Sequence, residues 1–236
     1  FLRQSLFMEN LESWKDLLNP EFYIQMGGFW LILFIIFAET GLFVGFFLPG
    51  DSLLFVSGIY AVDIIKETFG STGSDFLDTT ILASTVAIAA VIGNEVGYWF
   101  GVKTGPALYK KEDTFLFKKK YLFQAHDFFE QHGALAVIMA RFLPVVRTFT
   151  PIVAGIVKMD KKRFLIDNII GAFLWSFSLI FAGHYLDALF KNQFDIDLKA
   201  HLEVIIIIIV LITTVPIIAK FFFGKKKEEA ATENEN

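Results

Sequence analysis

Polar residues are sparse along much of this chain, and their spacing divides it. The longest uncharged stretches are Phe22–Ala38, Thr79–Asn94, Asn168–Leu186 and Val204–Ala219. A helix crossing the hydrocarbon of a bilayer needs about 20 mostly apolar residues. Three regions meet that length with at most one interior charge. Residues 79–102 contain only Glu95, 164–186 contain Asp167 near one end, and 204–223 contain Lys220, which can snorkel to the edge. Each is predicted to span a membrane.

Two further apolar regions do not read as simple spans. Residues 27–62 are interrupted by Gly41, Gly45 and the Pro49–Gly50 pair, and carry Glu39 and Asp51. Residues 133–157 are broken by Pro144 and Pro151 and carry Arg141 and Arg147. Dividing the first region at its breaks leaves arms of about 20 Å at 1.5 Å per residue, too short to cross. Such interrupted segments predict re-entrant hairpins, which a membrane tolerates where the irregular backbone is buried in protein or lines a wet cavity.

The flanks read as peripheral. Leu11, Trp14, Leu17 and Leu18 give residues 9–19 one apolar face, so an interfacial helix is expected within an N-terminal segment 1–26. Leu122, Ala125, Phe128 and Phe129 do the same for 121–131. Residues 224–236 form a polar tail, expected to be disordered. Met8 is a candidate start, which would leave 1–7 outside the native chain, and no cleavable signal is evident. The expected fold is an all-α integral membrane protein. A single transmembrane domain over 27–223 holds two facing re-entrant hairpins and about three full spans, with interfacial amphipathic helices beside them.

Composition agrees. Of 236 residues, 55% are hydrophobic, 29 are Phe and only 19% are charged, against about 25% charged in a soluble domain. Disordered, collagen-like and secreted disulfide classes are excluded. There is no Cys, so thiolate metal sites, iron–sulfur clusters and Cys nucleophiles are excluded too. No histidine has metal-ligand spacing, and no basic block suggests nucleic acid.

The positive charges test the topology. If both broken regions leave the membrane on the side they entered, segments 103–132, 158–163 and 220–227 share one face. They then hold 14 of the 21 Lys and Arg, against 5 on the opposite face. Full spans in both places would divide them almost evenly. The hairpin arrangement therefore predicts a multi-pass protein of a bacterial cytoplasmic (inner) membrane with a cytoplasmic C-terminus.

An ionised group at mid-bilayer costs at least about 2.5–3.5 kcal/mol. Six ionisable residues lie in the apolar stretches: Glu39, Asp51, Glu95, Arg141, Arg147 and Asp167. Four divide evenly, two carboxylates on the first hairpin and two guanidiniums on the second. They are expected to meet in a shared cavity between facing hairpins. Phe47-Leu48-Pro49 echoes Phe142-Leu143-Pro144, which suggests an inverted repeat with a substrate site near the midplane. Two arginines around a proline suit a phosphate, because a guanidinium offers planar paired donors and stays charged. The arm after Pro151 is expected to add free backbone N–H groups. Glu39 and Asp51 are candidate proton carriers. The plainer alternative is a structural salt-bridge cluster that only neutralises itself. Gly93, Gly97, Gly101 and Gly105 recur every fourth residue and predict close helix packing. Asn94 is placed to hydrogen-bond across helices, and His184 is read as structural.

At these residues the sequence resembles the DedA family, also called the SNARE-associated or VTT-domain family. Three stretches carry the likeness: Glu39-Thr40-Gly41 through Phe47-Leu48-Pro49-Gly50-Asp51-Ser52; Gly93-Asn94-Glu95-Val96-Gly97-Tyr98 with Gly101; and Arg141-Phe142-Leu143-Pro144-Val145-Val146-Arg147 continuing through Pro151 to Gly155. Where the family often has Arg after the third glycine, this chain has Val102 and Lys103. The resemblance implies facing hairpins and a polyprenyl-phosphate transporter, with Glu39, Asp51, Arg141 and Arg147 at its functional centre. The residues alone reach only a phosphorylated or anionic substrate in a membrane cavity. The expected function is that of a flippase moving a polyprenyl phosphate such as undecaprenyl phosphate between leaflets for carrier-lipid recycling. Arg141 and Arg147 would bind substrate, Glu39 and Asp51 would couple to protons or another cation, and Pro49, Gly50, Pro144 and Pro151 would break the hairpins. The expected partners are the lipid bilayer, the lipid substrate, the coupling cation and other copies of the chain; no cofactor is implied. A proton-coupled ion or drug exporter, a scramblase and an envelope scaffold are the alternatives. An intramembrane lipid phosphatase ranks low, since no histidine lies near either arginine in sequence.

Overall fold

A computed structural model describes residues 20–42, 50–70, 72–110 and 137–194, together with 127, 129, 131 and 198. The expected span 204–223, the segment 1–19, the tail, Gly45 and Pro49 lie outside the described residues, as does most of 121–131.

All the regular structure described is helical. Helix α1 runs Pro20–Gly41, α2 Gly50–Ile59, α3 Ala61–Phe69, α4 Asp75–Lys110, α5 Pro144–Ile156 and α6 Lys161–Phe194. Among the described residues, α4 and α6 contain two stretches long and apolar enough to cross a membrane, Asp75–Pro106 and Lys161–Lys191. Both helices run past the expected spans 79–102 and 164–186, and their N-terminal ends are polar and capped. Ser74 Oγ accepts the Leu77 N–H at 3.4 Å, and Asp75 and Asp78 sit in the first turn of α4, where carboxylates favour the helix dipole. Asp160 Oδ1 accepts the Arg163 N–H at 2.8 Å and caps α6.

In the first broken region α1 ends at Gly41 and α2 begins at Gly50. α1 kinks at Gly28, whose φ of 52° and ψ of −136° are not helical. A side chain would be strained there. The straight arm Gly28–Gly41 is about 20 Å long and α2 about 15 Å. In the second region, residues 137–140 are helical, 141–143 form a turn, and α5 begins at Pro144. Proline suits that first helical position, where no amide donor is needed. Pro151 differs from expectation: it lies inside α5 and breaks nothing. The free N–H groups expected after Pro151 are therefore absent, since the helix continues to Ile156.

One apolar core joins α1, α2, α3, α4 and α6 through Ile32, Ile36, Leu53, Leu54, Ile65, Leu82, Val86 and Trp175. A smaller one joins α4 and α5 to the start of α6, where Tyr98 stacks on Phe164 at 4.7 Å and donates to the Met159 carbonyl at 2.6 Å. Lipid is as apolar as leucine, so close packing must hold such helices together. Small residues sit where the helices cross. A Cβ on Gly101 would lie 2.0 Å from the Ile152 carbonyl oxygen, and one on Gly155 2.1 Å from that of Tyr98. Gly58 and Gly183 stand in the same relation to Ile180 and Phe55, joining α2 to α6. Trp30, Phe34, Ile88, Ile92, Trp99, Ile170 and Leu174 remain exposed, as lipid-facing side chains do.

Candidate functional site

The polar centre is assembled from four elements. Glu39 lies near the end of α1, Asp51 in the first turn of α2, Arg147 in the first turn of α5 and Trp175 midway along α6. Arg147 Nη2 donates to Glu39 Oε1 and Arg147 Nη1 to Asp51 Oδ1, so one guanidinium bridges both carboxylates. The Arg147 and Glu39 side chains are 6% and 5% exposed and that of Asp51 18%. Asp51 is thus the wetter member. The Trp175 indole completes the cluster: Nε1 donates to Asp51 Oδ1 at 2.9 Å, and the ring lies 4.7 Å beneath the Arg147 guanidinium carbon, close enough for a cation–π contact.

Backbone geometry leaves room for this. The Glu39 carboxylate occupies the place a side chain at Gly50 would take, since an ideal Cβ there would lie 1.5 Å from Glu39 Oε2. Arg147 is held from behind by its own N–H, which donates to Leu143 O at 2.9 Å.

Arg141 is placed differently from expectation. It is 3% exposed, yet among the described residues it pairs with no carboxylate. Its Nη2 donates to Asn168 Oδ1, while Nε and Nη1 have no hydrogen-bond partner. Asn168 is itself anchored on α4, donating from Nδ2 to the Val91 carbonyl at 3.2 Å. The Asn94 amide lies against the same group. In one orientation its Nδ2 donates to Asn168 Oδ1 at 2.9 Å. In the other its Nδ2 donates to Thr40 O at 3.0 Å and its oxygen accepts from Arg141 Nη2.

Of the four glycines at fourfold spacing, Gly93 lies against Thr40 and Gly41 of α1, Gly97 against Pro151, and Gly101 and Gly105 against Ile152 and Ile156. One face of α4 therefore passes first α1 and then α5. Asp167 stays outside the cluster, near Arg163, whereas Glu95 lies near Lys161 with its carboxylate on the Asn168 side chain. Among the described residues, the His184 ring packs edge-on against the neighbouring Tyr185 ring. No group of three metal-ligating side chains occurs among the described residues. Sequence reasoning missed Trp175 and Asn168. Asn168 was visible as an amide opening an apolar stretch; nothing in sequence distinguishes Trp175 from the other aromatics.

The VTT-domain family model matches residues 48–185. The chain is 42% identical over 175 residues to an uncharacterized membrane protein of Mycobacterium leprae, covering 72% of this chain and 73% of that protein. It is 39% identical over 174 residues to protein DedA of Escherichia coli, covering 72% and 75%. It is 33% identical over 186 residues to the inner membrane protein YqjA of Escherichia coli, covering 78% and 77%. No solved structure matches the chain. With a helical bundle built around the Glu39, Asp51 and Arg147 cluster, and a family match that covers most of that bundle, the chain belongs to the DedA family of VTT-domain membrane proteins.

Proposed function

We propose that this protein moves a phosphorylated lipid, of the class of a polyprenyl phosphate such as undecaprenyl phosphate, between the leaflets of a bacterial inner membrane. The observation that carries the reading is the buried Arg147 guanidinium bridging the Glu39 and Asp51 carboxylates, with a second guanidinium, Arg141, buried apart from them among apolar helices. Ionisable groups at such depth are functional by default, given the cost of placing them there. Guanidiniums suit a phosphate, because their planar paired donors match its oxygens. The carboxylates supply groups that a proton or another cation can neutralise as Arg147 changes partner. A relative described as an inner membrane protein supports the location.

The short arms fit a re-entrant arrangement. The Gly28–Gly41 arm, α2 and α5 each fall well short of a hydrocarbon core about 30 Å thick. Two such hairpins entering from opposite sides form an inverted repeat, and the substrate lies where their tips meet. The lipid tail stays in the bilayer while the headgroup crosses through the polar centre.

The test is translocation of a polyprenyl phosphate in proteoliposomes, with and without a pH gradient. Wild type should move the lipid, and Arg141→Ala and Arg147→Ala should not, although both still insert. Normal movement by both variants would sink the reading, and phosphate release by the wild type would favour a phosphatase instead.

A further inference from the structure

The two arginines are not equivalent. Arg147 has spent both terminal nitrogens on Glu39 and Asp51. Arg141 has no carboxylate partner among the described residues, and two of its N–H groups are buried without acceptors. A buried cation normally pairs with an anion or satisfies its donors, because leaving them open costs several kcal/mol. Here the partner held against Arg141 is a neutral amide from another helix. Asn168 fixes the guanidinium by one nitrogen, takes its own orientation from the Val91 carbonyl, and contributes no negative charge. Gly171, one turn further along α6, packs closely against Arg141: a Cβ there would lie 3.3 Å from its Nε.

We propose that Asn168 is a positioning residue that holds Arg141 by Nη2 without pairing its charge, so that the unpartnered Nε–H and Nη1–H groups of Arg141 are the first to receive a phosphate monoester. Arg147 stays committed to its carboxylates at that stage. A carboxylate at position 168 would occupy the same place, pair with Arg141 and exclude the anion. This deepens the reading given under Proposed function and rests on it.

Purified full-length protein in detergent tests the idea by equilibrium binding of farnesyl phosphate, with farnesol and inorganic phosphate as the separate tail and headgroup probes. Wild type should bind farnesyl phosphate and not farnesol; displacement by millimolar inorganic phosphate would show that Arg141 reads the phosphate alone. Asn168→Asp should weaken binding at least tenfold while the thermal midpoint is unchanged or higher. Gly171→Ala, which leaves Asn168 in place and crowds Nε, should weaken it several-fold. His184→Gln, outside the site, should stay within about threefold of wild type. Wild-type affinity in both Asn168→Asp and Gly171→Ala would overturn the proposal, as would a loss in His184→Gln equal to that in Asn168→Asp. Wild type that ignores every phosphate probe would instead bring down the transport reading itself.

Discussion

Gly50 and Glu39 are fitted to each other: the Glu39 carboxylate fills the space that any side chain on Gly50 would enter, 1.5 Å from the ideal Cβ position. Gly50→Ala therefore removes nothing from the charged cluster but pushes one carboxylate off Arg147. The lost charge-assisted hydrogen bond is worth about 1.5–3 kcal/mol. We expect a lower thermal midpoint and transport reduced about as far as in Glu39→Gln. A Gly50→Ala protein with wild-type midpoint and flux would show that Glu39 has another place to go.

Arg147 carries two buried partners, so the charges must be removed together. Arg147→Met alone leaves two carboxylates facing each other without a cation, a loss of about 3–5 kcal/mol. Adding Glu39→Gln and Asp51→Asn should recover most of that stability, because a neutral cluster no longer needs compensation. Melting in detergent should place the triple variant well above the single one, with transport absent in both.

Trp175 acts on the cluster in two separable ways. Trp175→Phe keeps an aromatic face under Arg147 but deletes the Nε1–H bond to Asp51, a change of about 1 kcal/mol. Trp175→Ala also opens a cavity in a side chain site that is 2% exposed, for about 3–5 kcal/mol. Equal midpoints for the two variants would mean that the indole N–H, not the packing, dominates.

The glycine crossings should differ sharply in tolerance. An alanine at Gly101 or Gly155 meets backbone oxygen at 2.0–2.1 Å, which cannot move without parting α4 from α5. An alanine at Gly97 meets the Pro151 ring at 3.3 Å and the Gly41 carbonyl oxygen at 3.7 Å. Gly101→Ala and Gly155→Ala should destabilise by about 1–3 kcal/mol or more, while Gly97→Ala should be nearly neutral in a thermal melt.

The chain has no cysteine, so topology can be read with single additions. Lys103→Cys and Lys161→Cys should both resist an impermeant thiol reagent applied to intact cells, and Asp75→Cys should react. Labelling of Lys161→Cys from outside would make 133–157 a full span and end the re-entrant arrangement.

Much of the architecture could be read from sequence because a membrane simplifies the physics. Uninterrupted apolar length marks a helix, and Gly41, Gly50 and Pro144 stand at or beside the places where helices end or begin. Pro151 was misread because a proline removes only its own amide donor; packed against Gly97 within a short apolar helix, it is accommodated. The site was legible in part. Cost alone says that Glu39, Asp51, Arg141 and Arg147 need partners or a purpose, and the structure joins three of them.

The sequence by itself determined the helical, membrane-embedded class, the short arms and the residues whose charge is out of place. These follow from local quantities: hydropathy, length and the presence of a proline or glycine. Only the tertiary structure decided who meets whom. Arg147 lies 96 residues from Asp51 and 108 from Glu39, and Arg141 is given to an amide on α6 instead of a carboxylate. That choice follows from α4 and α5 meeting closely at Gly101 and Gly155 and from Asn168 being held on α4 through the Val91 carbonyl, a property of packing in three dimensions that no single stretch of chain contains.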